Sequence, residues 1–347
     1  MEVNFLASEA FSLIDQHELR APIMVQLLSF LGALPLVLSL VAAMSIEKRQ
    51  STATQVVKQA SIENLAIRSN GLILATNMQS PNLYLIDSMA KTSKTGVVVT
   101  GASGLSGIGE YAPDVFAVIG GGKAIYKVDF SGATPSASLI KAIDGAGTLN
   151  GLAVLDADIV PVADATRGQI LRFALSTGAS SVAFADPTMK DTAFGIDGLK
   201  YANGTVWYTN LLKDGFYKVA VDATGKATGT PTAIWTNSMG DDLCFGLNGK
   251  VYVSTNCGKN SVVEYDPVAG KSNTLVTVAG ATSCAFGRTD KDHNVIYIGG
   301  SAGILRLLLR CRVGCFWKGF DVRSARRNIG KICKIACVEK QSARTFS

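Results

Sequence analysis

Apolar and polar residues alternate in short runs through the middle of the chain, the period-two pattern of half-buried strands. Five segments repeat one arrangement: a polar or acidic residue, an alternating apolar run, a short polar turn and a second run. They read Glu63-Asn-Leu-Ala-Ile then GLILAT, Asn150-Gly-Leu-Ala-Val then IVPVAD, and Asp197-Gly-Leu-Lys-Tyr then TVWYTN. Asp241-Asp-Leu-Cys-Phe then KVYVST and Thr282-Ser-Cys-Ala-Phe then VIYIGG complete the five, and a weaker member starts at Ser106 and continues into VFAVIG. The six starts are spaced by 43, 44, 47, 44 and 41 residues. A third run follows several of them (AIYKVDF, QILRFAL, GFYKVAV, SVVEYDP), and Asn70-Gly71, Asn203-Gly204 and Asn248-Gly249 supply hairpin turns. Six units of about 45 residues predict an all-β, six-bladed β-propeller. A two-sheet sandwich does not explain the regular period. The run TQVVKQ at 54–59 is expected to pair into the last blade and close the ring, removing two exposed edges.

Composition divides the 347-residue chain. Residues 303–347 carry eleven Lys or Arg and two acids, whereas the rest carries 22 basic and 25 acidic residues. The net charge of +6 therefore belongs to the tail, and the mildly acidic body gives no reason to expect nucleic acid. Residues 25–44 are uncharged and apolar, followed by a small-x-small site at Ala43-Met44-Ser45 and a dibasic Lys48-Arg49. This pattern predicts a cleaved signal peptide, a secretory destination and no stable membrane span after processing. In that compartment Asn203-Gly204-Thr205 is a glycosylation sequon, and a disulfide is permitted among Cys244, Cys257 and Cys284, leaving one cysteine over. The expected organisation is 1–49 signal and processing region, 50–302 propeller, and 303–347 an atypical basic tail with Cys311, Cys315, Cys333 and Cys337, which fits a gene-model artefact best. On that reading blade six lacks its outermost native strand and removal of the tail leaves the propeller soluble.

The start of each innermost strand faces the shared channel of a propeller. The residues there are Glu63, Ser106, Asn150, Asp197, Asp241 and Thr282: three carboxylates, an amide and two hydroxyls. The glycine-rich stretch at 97–109 lacks dinucleotide-loop spacing and precedes a strand pattern. With only His17 and His293 in the chain, a Ser-His-Asp triad and a histidine zinc site are not expected.

The runs SIENLAIRSNGLILAT, DDLCFGLNGKVYVST and SCAFGRTDKDHNVIYIGG resemble the senescence-marker/gluconolactonase superfamily of six-bladed propellers, in particular its secreted fungal branch, which includes the hetero-Diels–Alderases of tropolone–sesquiterpenoid biosynthesis. The resemblance covers about residues 54–302. It implies either of two site chemistries. In a metal-dependent lactonase, Glu63, Asp197 and Asp241 would hold Ca²⁺ or another divalent cation, with Asn150 on substrate or metal-bound water. In a pericyclase, with no cofactor, Glu63, Asn150, Asp197 and Asp241 would polarise a quinone-methide-like diene. Ser106, Thr282, Trp207 and Tyr208 would then line the pocket for an apolar alkene. Two features depart from the lactonase pattern: its Glu-Gly-Pro-x-Trp is Glu-Asn-Leu-Ala-Ile here, and residue 197 is Asp where Asn is usual. Either way the expected partners are small molecules. A secreted ligand-binding propeller without catalysis is the third reading.

Overall fold

The computed structural model describes residues 52–256 and 259–309; the signal and processing region, Cys257 and the tail beyond residue 309 lie outside them. Among the described residues, six four-stranded antiparallel sheets follow one another in chain order. Their innermost strands are Ile62–Ile67 (blade I), Leu105–Ala112 (II), Leu149–Leu152 (III), Ile196–Ala202 (IV), Leu243–Phe245 (V) and Ala281–Phe286 (VI). The expected six-bladed propeller is the observed fold. Each blade runs from a buried inner strand to a solvated outer one, as Ile73–Asn77 and Thr92–Val98 of blade I show. Apolar clusters fill the gaps between neighbouring blades: Leu74 and Leu83 of blade I pack with Ile108, Phe116 and Val128 of blade II. Packing faces therefore alternate with the sheets, which is why a period-two pattern repeated six times closes a ring.

Blade VI corrects the expected boundary. The compositional break at 303 falls inside this sheet: Gly303–Leu308 is its third strand, paired with Val295–Gly300. Its outermost strand is Thr54–Val57, which pairs antiparallel with Gly303–Leu308 through Thr54↔Arg306 and Val57↔Ile304. Blade VI thus has four strands and does not lack its outer one. Gln55 Nε2 adds a bond to the Ala302 carbonyl at 2.6 Å.

On the rim opposite the inner-strand starts, polar ties reinforce the closure. Tyr297 of blade VI donates to Asp292 at 3.0 Å and meets the Ser88 hydroxyl of blade I at 2.8 Å. Arg288 reaches from blade VI to the Ile67 carbonyl at 2.8 Å and pairs with Glu110 of blade II. Cys244 and Cys284 form a disulfide between the inner strands of blades V and VI, with Cα atoms 5.7 Å apart.

Backbone meets backbone around the channel. Gly107, Gly151 and Gly198 each follow a channel residue, and a Cβ on any of them would lie 2.5, 2.2 and 2.3 Å from the carbonyl oxygen of Asn150, Asp197 and Asp241 on the next blade. Only glycine lets the blades approach so closely, because the obstacle is main chain and cannot rotate away. Gly151→Ala is therefore expected to destabilise the protein by on the order of 3 kcal/mol, measured as a lower urea midpoint at unchanged m-value.

Candidate functional site

The inner strands carry a register shift at their starts. In blade I, Ile62 and Leu65 are opposite Asn77 and Ala75, so the strand gains a residue over Glu63 and Asn64. Equivalent shifts fall between Leu105 and Ile108, Leu149 and Leu152, Ile196 and Leu199, and Ala281 and Ser283. A bulge releases a side chain from strict alternation and re-aims it. Here the released residues are Glu63, Ser106, Asn150, Asp197 and Thr282. In blade V, Asp241 takes the same place just before the strand begins, its amide donating to the Ser254 carbonyl at 2.9 Å.

Three of these side chains meet. Carboxylate oxygens of Glu63, Asp197 and Asp241 lie within 4.8 Å of one another. Asp197 is 3% exposed and Asp241 5%, whereas Glu63 remains partly open. Asn150 Nδ2 donates to Asp197 Oδ1, and Asn256 Nδ2 donates to Asp241 Oδ2 at 3.2 Å. Beside them, Asp242 accepts from Leu243 N at 2.8 Å and pairs with Lys200 at 2.5 Å.

The electrostatics follow from this crowding. Burial pushes the Glu63 carboxyl up to about 7, opposed by the Asn150 amide and reinforced by the charge of Asp242. Burial, and then the negative neighbours, raise Asp197 and Asp241 well above the usual carboxylate range. Like charges this close, with little water between them, favour the protonated acid unless a cation joins them.

Glu63 and Thr282 also line a cavity of about 230 Å³ at the channel mouth, between blades I and VI, together with Met78, Gln79, Asn256 and Ser301. Asn150, Asp197 and Asp241 do not line it. The two hydroxyl residues serve partly as ties: Thr282 Oγ1 donates to the Ile62 carbonyl at 2.9 Å and Ser106 Oγ to the Leu149 carbonyl at 3.4 Å. Ser106 is buried and apart from the cavity.

The expected aromatic wall is corrected. Trp207 and Tyr208 occupy the second strand of blade IV, where side chains point into the gaps between blades. Trp207, 8% exposed, packs with Phe216, Leu243 and Tyr265. Tyr208 is fully buried, stacks on Tyr217 and bonds Thr188 at 2.7 Å. Neither reaches the cavity. What lines it instead is the first residue after the second strand of three blades: Met78, Asn256 and Ser301. These positions recur with the same period as the inner-strand starts, and that recurrence is the signal that would have found them.

No family model matches the chain. Two fungal proteins resemble it in sequence. One from Phoma sp., described as a "putative hetero-Diels-Alderase", is 28% identical over 299 aligned positions, spanning 69% of this chain and 83% of the relative. Another from Sarocladium schorii with the same description is 24% identical, spanning 56% of this chain and 62% of the relative. Among solved structures, a gluconolactonase from Xanthomonas campestris superposes with a TM-score of 0.60 at 16% identity, over 77% of this chain and 93% of that one. The fold is the gluconolactonase-like six-bladed propeller. Within that fold, the sequence likeness is to two proteins so described, and the site differs from a bare carboxylate ring by the Asn150 and Asn256 amides bonded to two of its three acids.

Proposed function

We propose that the protein is an enzyme of the hetero-Diels–Alder type, joining an oxygen-bearing diene of the quinone-methide class to an apolar alkene at the channel mouth. The observation that carries this reading is the sequence likeness to the Phoma protein described as a "putative hetero-Diels-Alderase", which spans 83% of that relative. The site supplies matching chemistry. A Glu63 carboxyl that keeps its proton to about pH 7 is a hydrogen-bond donor at the cavity wall. Donated to the carbonyl oxygen of the diene, it stabilises the charge that accumulates there as the new C–O and C–C bonds form. No atom leaves and no nucleophile is needed. Holding both reactants together lowers the barrier further by removing the entropy of their encounter. Burial and the charge of Asp242 keep Glu63 neutral, while Asn150 orients the cluster through its bond to Asp197. Met78, 48% exposed at the cavity wall, offers the alkene an apolar surface.

The assay follows directly. An ortho-quinone methide released in situ is mixed with an unconjugated alkene, and the dihydropyran adduct is measured for rate and enantiomeric excess, with and without EDTA. Acceleration and asymmetric product insensitive to EDTA are expected. A racemic product at the background rate would overturn the reading.

The carboxylate geometry favours one alternative, a metal-dependent lactonase. A hard cation at about 2.4 Å from each ligand needs its oxygens within roughly twice that distance of one another. Glu63, Asp197 and Asp241 meet this condition. The chemistry a cation supplies there is polarisation of a lactone carbonyl and acidification of water. The two readings separate in thermal unfolding. The first expects no stabilisation by Ca²⁺, and Asp241→Asn should raise stability by about 1 kcal/mol through lost repulsion. The second expects a gain near 3 kcal/mol at a hundredfold excess of Ca²⁺ over its dissociation constant, absent in Asp241→Asn.

A further inference from the structure

The chain contains one Asn-x-Ser/Thr sequence, Asn203-Gly204-Thr205. The fold places it at the tip of the hairpin joining the first two strands of blade IV, Ile196–Ala202 and Thr205–Asn210. Asn203 has φ +51° and Gly204 φ +71°, the left-handed pair of a two-residue turn that lifts the asparagine out of the sheet. Asn203 is exposed, and a Cβ built on Gly204 would meet nothing within 4 Å. Among the described residues the Asn203 side chain makes no hydrogen bond, although the backbone of the turn is tied: Gly204 N donates to the Tyr201 hydroxyl at 3.3 Å and Val221 N to the Gly204 carbonyl at 2.9 Å. The turn is thus rigid in its main chain and open around its amide.

The direction is as important as the exposure. Inner strands begin at the carboxylate mouth, so the hairpins after them lie on the opposite rim, with Asn70-Gly71 and Asn248-Gly249. A bulky group on Asn203 points away from Glu63 and from the cavity beside it. An independent feature speaks to the compartment. The Cys244–Cys284 disulfide joins two inner strands whose cysteines are buried. Such a bond persists in oxidising compartments and is rare in reducing ones.

We infer that Asn203 is an N-glycosylation site, modified as the chain passes through an oxidising secretory compartment. Asn203 Nδ2 forms a bond to the anomeric carbon of a lipid-diphosphate-linked oligosaccharide. The anomeric C–O bond breaks, the lipid diphosphate leaves with the bonding electrons, and the amide proton passes to a base of the transferring enzyme. Thr205 supplies the hydroxyl such transfer requires. It stands at the first position of the second strand, opposite Ala202 and Ala220, partly exposed and free to be read.

The test uses the full chain secreted from a fungal host. Digestion with an endoglycosidase should increase its mobility in a denaturing gel. Asn203→Gln and Thr205→Ala should migrate at the digested position and ignore the enzyme, while Thr205→Ser should keep the shift. The Ser and Ala variants perturb the strand alike, so a structural effect would move both, and only loss of the sequon separates them. Secreted wild type with unchanged mobility after digestion, or a shift that survives in Asn203→Gln, would overturn the assignment.

Discussion

Ending the chain after Ala302 should abolish folded protein, whereas ending it after Leu309 should leave the propeller intact. The first truncation removes Gly303–Leu308, the only strand that pairs with Thr54–Val57 among the described residues. Ile304, Leu307, Val56 and Val57 are all buried, and Ile304 packs with Val56, Val57, Ile62 and Leu65 in the cluster that joins blade VI to blade I. Burying a side chain of this size contributes about 2 kcal/mol, so the four together contribute roughly 8 kcal/mol. That is comparable with the entire stability of a typical domain, about 5–15 kcal/mol. Losing them also leaves two strand edges of blade VI, Thr54–Val57 and Val295–Gly300, without partners. The two truncations are compared by soluble monomer yield and by the presence of a cooperative thermal transition. Equal yields would show that the ring closes without the pairing of Thr54↔Arg306 and Val57↔Ile304.

The second large effect is on rate. Glu63→Ala should lower the cycloaddition rate by about 10²- to 10³-fold, the usual loss when one donor to a developing oxyanion is removed. The wild-type rate should be flat below pH 7 and fall about tenfold per unit above it, because the donor is the protonated acid and its pKa is raised to about 7. Glu63→Gln keeps a donor of similar reach and should retain part of the rate with no inflection near pH 7. Stability should follow the same group. The unfolded chain ionises Glu63 near its ordinary value of 4.5, while the folded chain holds the proton to about 7. The contribution is complete below 4.5 and is lost as the pH rises to about 7. A rate that climbs through pH 7, or an inflection that persists in Glu63→Gln, would remove Glu63 from the role of donor.

The fold was readable because every blade repeats the same alternation and the same polar start, so one period fixed the positions of six strands at once. That period also picked out Glu63, Asp197 and Asp241, which converge because equivalent positions in a ring share one axis. Trp207 and Tyr208 misled for a physical reason. Aromatic content marks burial, and in a propeller the buried volume lies between blades, as Tyr208 against Tyr217 shows, and not in the channel. The blade VI boundary was hidden because Gly303–Leu308 is apolar and basic in composition, like the tail that follows, although its pairing belongs to the sheet. Lys200 and Asp242 escaped notice because they meet across two blades, 42 residues apart, and neither stands at a repeated polar start.

The bulges at the inner-strand starts make the channel mouth a set of interchangeable sockets. Each presents one side chain to the axis, and the strand pairing resumes beyond it offset by one residue. The residue in a socket can therefore change its chemistry with little change in size, as Asp in place of the lactonase-like Asn at position 197 illustrates: one oxygen for one nitrogen, and a titratable group gained. Divergence of reaction within this architecture needs no remodelling of the scaffold, only a new combination of six letters read around a fixed circle.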